Sequence, residues 1–268
     1  MSNDIFLKDA AGNEGASAAG AGRARGGLLT LGVETATEKR SAAVARGARL
    51  LALRLGELRG ACVLEDVEGV LAEARVRLEE VELFAAACGP GSFTGLRSGL
   101  ATLKALAVTL GRPLVGVPTL HALAHAARPA ERLVALIPAG RGEVFAQLLG
   151  VSERGFVEEL GEPVHVAPAR LLESLKGRGG GLKWVGGGAF RHLELIREAA
   201  SASGHRFINA ADPAASPARD EWVLAPTREA LAEDVAALGQ LKYLGGGAWV
   251  ADDVRALYVR PSDAEMKG

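Results

Sequence analysis

The chain has 268 residues, with 31 Lys plus Arg against 32 Asp plus Glu and a formal charge of −1. That length suits one large domain or two small lobes with an ample core. The balanced charge argues against independent nucleic-acid binding, which needs a basic excess or stripe, and no stretch approaches the roughly 20 apolar residues of a membrane span.

The two cysteines, Cys62 and Cys88, have no CxxC neighbour, so neither a disulfide framework nor a zinc site is indicated. Both are expected as small apolar residues in core positions, in a reducing cytoplasm. Residues 1–27 carry GNEGASAAGAGRARGG, which is Gly/Ala-rich and has no periodic apolar face. This tail lacks the apolar centre of a signal peptide and reads as a disordered extension or a misplaced start.

LLTLGVE (Leu28 to Glu34) reads as a buried strand, and SAAVARG and ARLLALRL follow after short turns, so antiparallel hairpins are expected. Val63, Val67, Val70, Leu71 and Ala74 then fall at helical spacing. VELFAAAC is a short apolar run that ends at GPGSFTGLRSG, and is expected as a central strand. Beyond it, Leu96, Leu100, Leu103, Leu106 and Leu110 mark one stripe of a helix, and GRPLVGV supplies a stop and a further strand.

Three strands, helix, strand, helix, strand is the connectivity of the ribonuclease-H-like fold. The second half repeats it weakly: a helix over Thr119 to Ala127, strands at RLVALIP and GEVFAQLLG, and a third near Val157 to Val166. A helix from Pro168, a strand at KWVGGG and a helix from Phe190 to Ala200 follow. The expectation is an α/β protein of two such lobes, 28–117 and 118–225, the second degraded. A helix over 226–241 would return to complete the first lobe, followed by a C-terminal segment 242–268.

GPGSFTGLRSG fails the tests for familiar loops one position at a time. No lysine follows for a Walker A loop, Thr94 stands where a dinucleotide fingerprint needs its last glycine, and Pro90 stands where a nucleophile elbow needs glycine before Ser92. Gly89, Pro90 and Gly91 end a strand sharply, Ser92 or Thr94 can cap the next helix, and Gly95 follows in its first turn. Phe93 is an apolar residue thrust into a turn. Arg97 is a cation one turn into a helix, where the dipole disfavours it, and so invites a partner, anion or carboxylate.

His121 and His125 have the spacing of a zincin pair, but residue 122 is Ala and no third ligand is evident, so a polar helix edge is the better reading. GVETATE (Gly32 to Glu38) has two readings. It is either an ordinary hairpin turn or a relic of the first phosphate loop of the actin-like ATPases, with Glu34, Thr35 and Thr37 at the phosphates.

LGVETATE, CGPGSFTGLRSGLATLKALA, GVPTLHALA, GEVF and ALYVRPSD together, in this order and spacing, resemble the TsaB (YeaZ-like) family of bacterial tRNA threonylcarbamoyladenosine biosynthesis proteins. The likeness runs from about Leu28 to the C-terminus and is most specific in the Gly-Pro-Gly-Ser-Phe-Thr-Gly-x-Arg string. It implies a two-lobe actin-like (ASKHA) fold and a non-catalytic subunit. Such a subunit pairs with TsaD, is joined by the ATPase TsaE, self-associates when alone, and meets tRNA only through the complex. The resemblance implies no cofactor of its own, ATP and metal belonging to the partner subunits. It makes Phe93, Thr94 and Arg97 candidates for contact with TsaD and Glu34, Thr35 and Thr37 a vestigial phosphate loop. The chain departs from the family in Glu34 for an aspartate, in LRGAC before the first long helix, and in Pro138 and Gly140, which strips polar groups from the cleft. The competing reading is a standalone ATP-using or peptidase-like enzyme of the same superfamily.

Overall fold

The structure, a computed structural model, describes residues 27–56, 62–176, 180–246 and 249–259. The expected tail up to residue 26, most of LRGAC and the end of ALYVRPSD lie outside the described residues.

The first sheet has the order β3-β2-β1-β4-β5. Its antiparallel meander is β1 (Leu29–Glu34), β2 (Arg40–Arg46) and β3 (Arg49–Gly56). Helix α1 (Val63–Ala74) then leads to β4 (Leu83–Gly89), which lies parallel to β1, and α2 (Phe93–Leu110) leads to β5 (Leu114–Pro118), parallel to β4. The chain then forms α3 (Thr119–Ala126), β6 (Ala130–Gly140), β7 (Glu143–Val151), and the short β8 (Val157–Glu159) and β9 (Val164–Val166). It continues through α4 (Pro168–Leu175), β10 (Leu182–Val185), α5 (Gly187–Arg191), α6 (Leu193–Ala202), β11 (Arg206–Asn209), β12 (Glu221–Leu224) and α7 (Ala232–Leu244). The second sheet has the order β11-β12-β10-β6-β7-β8, with β9 also on β7. From β8 onward, its first five positions repeat the first sheet: an antiparallel meander of β8, β7 and β6, then β10 parallel to β6 and β12 parallel to β10. The duplicated topology is that of the actin-like fold.

Strand β4 shows why its sequence is a continuous apolar run: both faces are covered. Leu83, Ala85 and Ala87 point into a core shared with α7, which packs on this sheet, and with α3 and β6 beyond it. Phe84, Ala86 and Cys88 point to the other face, against Val67, Val70, Leu100 and Leu103 of α1 and α2. A third core, with Trp184 and Trp222, lies under α4 and α6. Helix α7 crosses β1 so closely that a Cβ on Gly32 would meet the Ala232 carbonyl and the Ala236 side chain.

Several local expectations need correction. Cys62 is exposed and precedes α1, its N–H donating to the Glu65 carboxylate at 3.3 Å. A position before the first helical turn faces solvent even when the helix behind it is buried. The helix expected over Phe190 to Ala200 is two, broken at His192. The late helix runs over Ala232–Leu244, because Pro226 to Leu231 take an irregular path beside the cleft. Strands β11 and β12 were not expected.

Candidate functional site

The GPGSFTG loop leaves the C-terminal end of β4 and is held on two sides. On one side lies the β1–β2 turn: the Ser92 N–H donates to the Ala36 carbonyl at 2.7 Å. Each glycine here makes room for backbone or a side chain. A Cβ on Gly91 would overlap the Ala36 carbonyl, one on Gly95 the Thr35 carbonyl, and one on Gly99 the Thr35 side chain. On the other side lies the C-terminal segment, where Leu257 N–H donates to the Cys88 carbonyl at 2.6 Å. Gly89, at φ +110°, would place a Cβ 2.7 Å from the Leu257 carbonyl oxygen. Ser92 caps α2, its Oγ accepting from Gly95 N–H at 3.2 Å. Thr94 is exposed.

Phe93 is 54% exposed, and the Arg97 guanidinium carbon lies over its ring, 3.8 Å from the centroid. Tyr258 completes the group, with its ring 5.8 Å from that of Phe93 and its hydroxyl 3.5 Å from Arg97 Nε. The sequence reading brought Phe93 and Arg97 together but not Tyr258, which is 161 positions from Arg97.

In the β1–β2 turn, the Glu34 carboxylate is fully buried and satisfies the turn itself. It accepts from Ala36 N–H at 2.5 Å, Thr37 N–H at 2.8 Å and the Thr37 hydroxyl at 2.7 Å. Burial pushes its pKa above the ordinary carboxylate value, opposed by those bonds from Thr37 and Ala36. Thr35 is buried against Gly95 and Gly99. The Ala36 and Thr37 amides and the Thr37 hydroxyl are thus all taken up by the Glu34 carboxyl group.

Beside the turn, a cavity of about 520 Å³ opens between the lobes. Ala36, Leu123, Ile137, Pro138, Phe190 and Leu231 give it a largely apolar wall. Its cations are committed to carboxylates: Lys39 to Glu229 at 2.7 Å, and Arg228 to Glu233 at 2.8 Å. Arg191 reaches across the lobes to Glu38 at 2.9 Å. Pro138 thus supplies cleft wall, while Gly140 ends β6 at φ +85°, which suits glycine.

His125 corrects the expectation of a polar helix edge. It is 4% exposed, with Nδ1 2.7 Å from Asp234 Oδ1 of α7. Its Nε2 side is closed by Gly155, where a Cβ would come within 2.5 Å. His121 is half-buried and paired with Glu159 at 3.1 Å, and burial lowers its pKa against the opposing pull of Glu159. Among the described residues no group of three or more His, Cys, Asp and Glu could hold a metal ion, and no helix is long and apolar enough to cross a membrane.

A family model described as TsaD, tRNA N6-adenosine threonylcarbamoyltransferase, matches residues 63–236. The chain is 36% identical over 86 residues to the tRNA threonylcarbamoyladenosine biosynthesis protein TsaB of Escherichia coli, covering 31% of this chain and 37% of that protein. It is 28% identical over 139 residues to TsaB of Bacillus subtilis, covering 52% and 60% respectively. The chain thus spans less than two thirds of these curated relatives. Among solved structures, a Pseudomonas aeruginosa protein described as similar to peptidase YeaZ has a TM-score of 0.68 at 26% identity, over 87% of this chain and all of that one. The chain belongs to the family of the tRNA N6-adenosine threonylcarbamoyltransferase model, and its likenesses place it with the TsaB (YeaZ) members.

Proposed function

We propose that this chain is a non-catalytic subunit that pairs with a TsaD-type protein to support threonylcarbamoyl transfer to the tRNA adenosine next to the anticodon. The observation that carries this reading is the use of the β1–β2 turn. Glu34, Thr35 and Thr37, the residues at which this fold would meet phosphate, are spent on their own turn and on packing α2. ATP and metal then belong to the partner subunits, a TsaD-type protein and a TsaE-type ATPase. The chain meets tRNA only through the complex, in the cytoplasm, and self-associates when alone. Phe93, Thr94 and Arg97, exposed at the start of α2, face the TsaD-type subunit in this account. A peptidase role has no support in the closed environment of His125, whose free nitrogen faces the Gly155 backbone.

Calorimetric titrations test the reading. The chain alone should give no saturable heat with Mg-ATP, while a TsaD-type subunit from the same genome should bind it one to one. Saturable ATP binding by the chain alone, or no complex with the subunit, would overturn it.

A further inference from the structure

The end of the described chain is built into the start of α2. Val254 packs on Gly116 of β5, where a Cβ would lie 3.0 Å from its Cγ1. Leu257 then bonds Cys88 at the end of β4, in the space left by Gly89. This strap fixes the backbone that leads into Tyr258 and sets its ring against Phe93 and Arg97.

The group has no core to serve. Phe93 and Tyr258 are each 54% exposed, and Arg97, whose guanidinium lies over the Phe93 ring, is exposed as well. Tyr258 takes Nε of Arg97, and among the described residues no carboxylate pairs with this side chain. Stacking on an aromatic ring holds the planar fork in one orientation and leaves its outer N–H groups for a bidentate acceptor. Two aromatics around one arginine is the composition of an energetic centre in a protein–protein interface. A phosphate backbone would call on several cations in a row, and the only other basic residue on α2 is Lys104.

We propose that Phe93, Arg97 and Tyr258 form one composite recognition face, assembled by the C-terminal strap, that takes an aspartate or glutamate side chain from the TsaD-type partner. This rests on the pairing proposed above and adds Tyr258, the strap and the acidic chemistry of the opposing surface.

The test is titration of the TsaD-type subunit with wild-type chain and with Tyr258→Ala, Arg97→Ala and Arg97→Lys variants, each first checked for unaltered circular dichroism and melting temperature. Tyr258→Ala and Arg97→Ala should each weaken binding tenfold or more. Arg97→Lys, which keeps the charge and loses the fork, should weaken it at least fivefold. Raising sodium chloride from low to moderate concentration should weaken the wild type more than Arg97→Ala. Affinity unchanged in folded Tyr258→Ala and Arg97→Ala variants overturns the composite face and leaves the pairing standing; no binding by the wild type overturns both. If Arg97→Ala abolishes binding of free tRNA by the chain while partner affinity is unchanged, the face reads phosphate and the proposal fails.

Discussion

Replacing Gly95 by alanine sets two effects of opposite sign against each other. Gly95 lies in the first turn of α2 with no positive φ, so helix propensity alone would make alanine more stable by about 1 kcal/mol. The added methyl would, however, overlap the Thr35 carbonyl, a backbone atom of the buried β1–β2 turn that cannot swing aside. Relieving that overlap moves the start of α2 off the turn, at an overpacking cost of about 1–3 kcal/mol. It also strains the Ser92 cap, which accepts from Gly95 N–H at 3.2 Å and is of a kind typically worth about 1 kcal/mol. Packing and cap together outweigh propensity, and the expected net change is a loss of about 1–3 kcal/mol. Gly69→Ala is the matched control. It too lies within a helix, but its Cβ would meet the flexible Arg54 side chain, nearest atom 2.7 Å, so propensity should win and stabilise by up to about 1 kcal/mol. Urea unfolding of both variants, with the slope checked for constancy, reads the two signs. Equal stabilisation by both would refute the view that the motif's glycines are packing contacts.

Other consequences follow from the buried charges. Glu34 has a raised pKa in the fold, so its contribution to stability is fully present below the ordinary carboxylate value and is lost as pH rises through the folded value. Unfolding curves from mildly acid to neutral pH should therefore show the wild type losing stability relative to Glu34→Gln; parallel curves would contradict it. Lys183 is buried on β10, and its ammonium donates to the carbonyls of Ala127 at 2.9 Å, Pro129 at 2.9 Å and Pro213 at 3.0 Å. Lys183→Met leaves those acceptors without their donor and should cost about 2–5 kcal/mol in chemical denaturation at neutral pH; a neutral effect would show that the three bonds do not matter. Burial lowers the Lys183 pKa to about 8, against the opposing pull of Asp212, so above that pH the unfolded chain holds a proton that the folded one has lost. Wild-type stability should gain from this group as pH rises from 8 toward lysine's ordinary value, a slope absent from Lys183→Met. The exposed Arg191–Glu38 bridge across the lobes is of the kind worth under about 1 kcal/mol, so Arg191→Ala should leave the melting temperature within a few degrees; a collapse would mean that the bridge holds the lobes together.

The first lobe was legible because its signals are local and agree with one another. From Leu83 to Cys88 the run is apolar at every position because both faces of β4 are covered, and the leucine stripe beyond it lies on one face of α2. The second lobe carries weaker signals. Strands β11 and β12 have 4 residues each and gain their identity from parallel pairing with each other and β10, contacts that no short window contains. His125 looked like surface because HALAH is polar at that position, yet its partner is Asp234 on α7, 109 residues away. A lysine between Leu182 and Trp184 was a visible sign of a buried charge, but its three carbonyl partners were not. In the GPGSFTG string, the cap and turn were readable from residue types. The reason for each glycine lay in the Thr35–Ala36 backbone and in Leu257, and the cation disfavoured by the helix dipole at Arg97 was the one trace of the face that Tyr258 completes.

The central claim is that this chain supports threonylcarbamoyl transfer without performing it. The most direct measurement supplies threonylcarbamoyl-adenylate and unmodified tRNA to the chain alone, to the TsaD-type subunit alone, and to the two together with a TsaE-type ATPase, and counts modified adenosine. The account predicts no product from the chain alone and substantially more from the assembled set than from the TsaD-type subunit by itself. Product formed by the chain alone, or no gain when it is added, would contradict it.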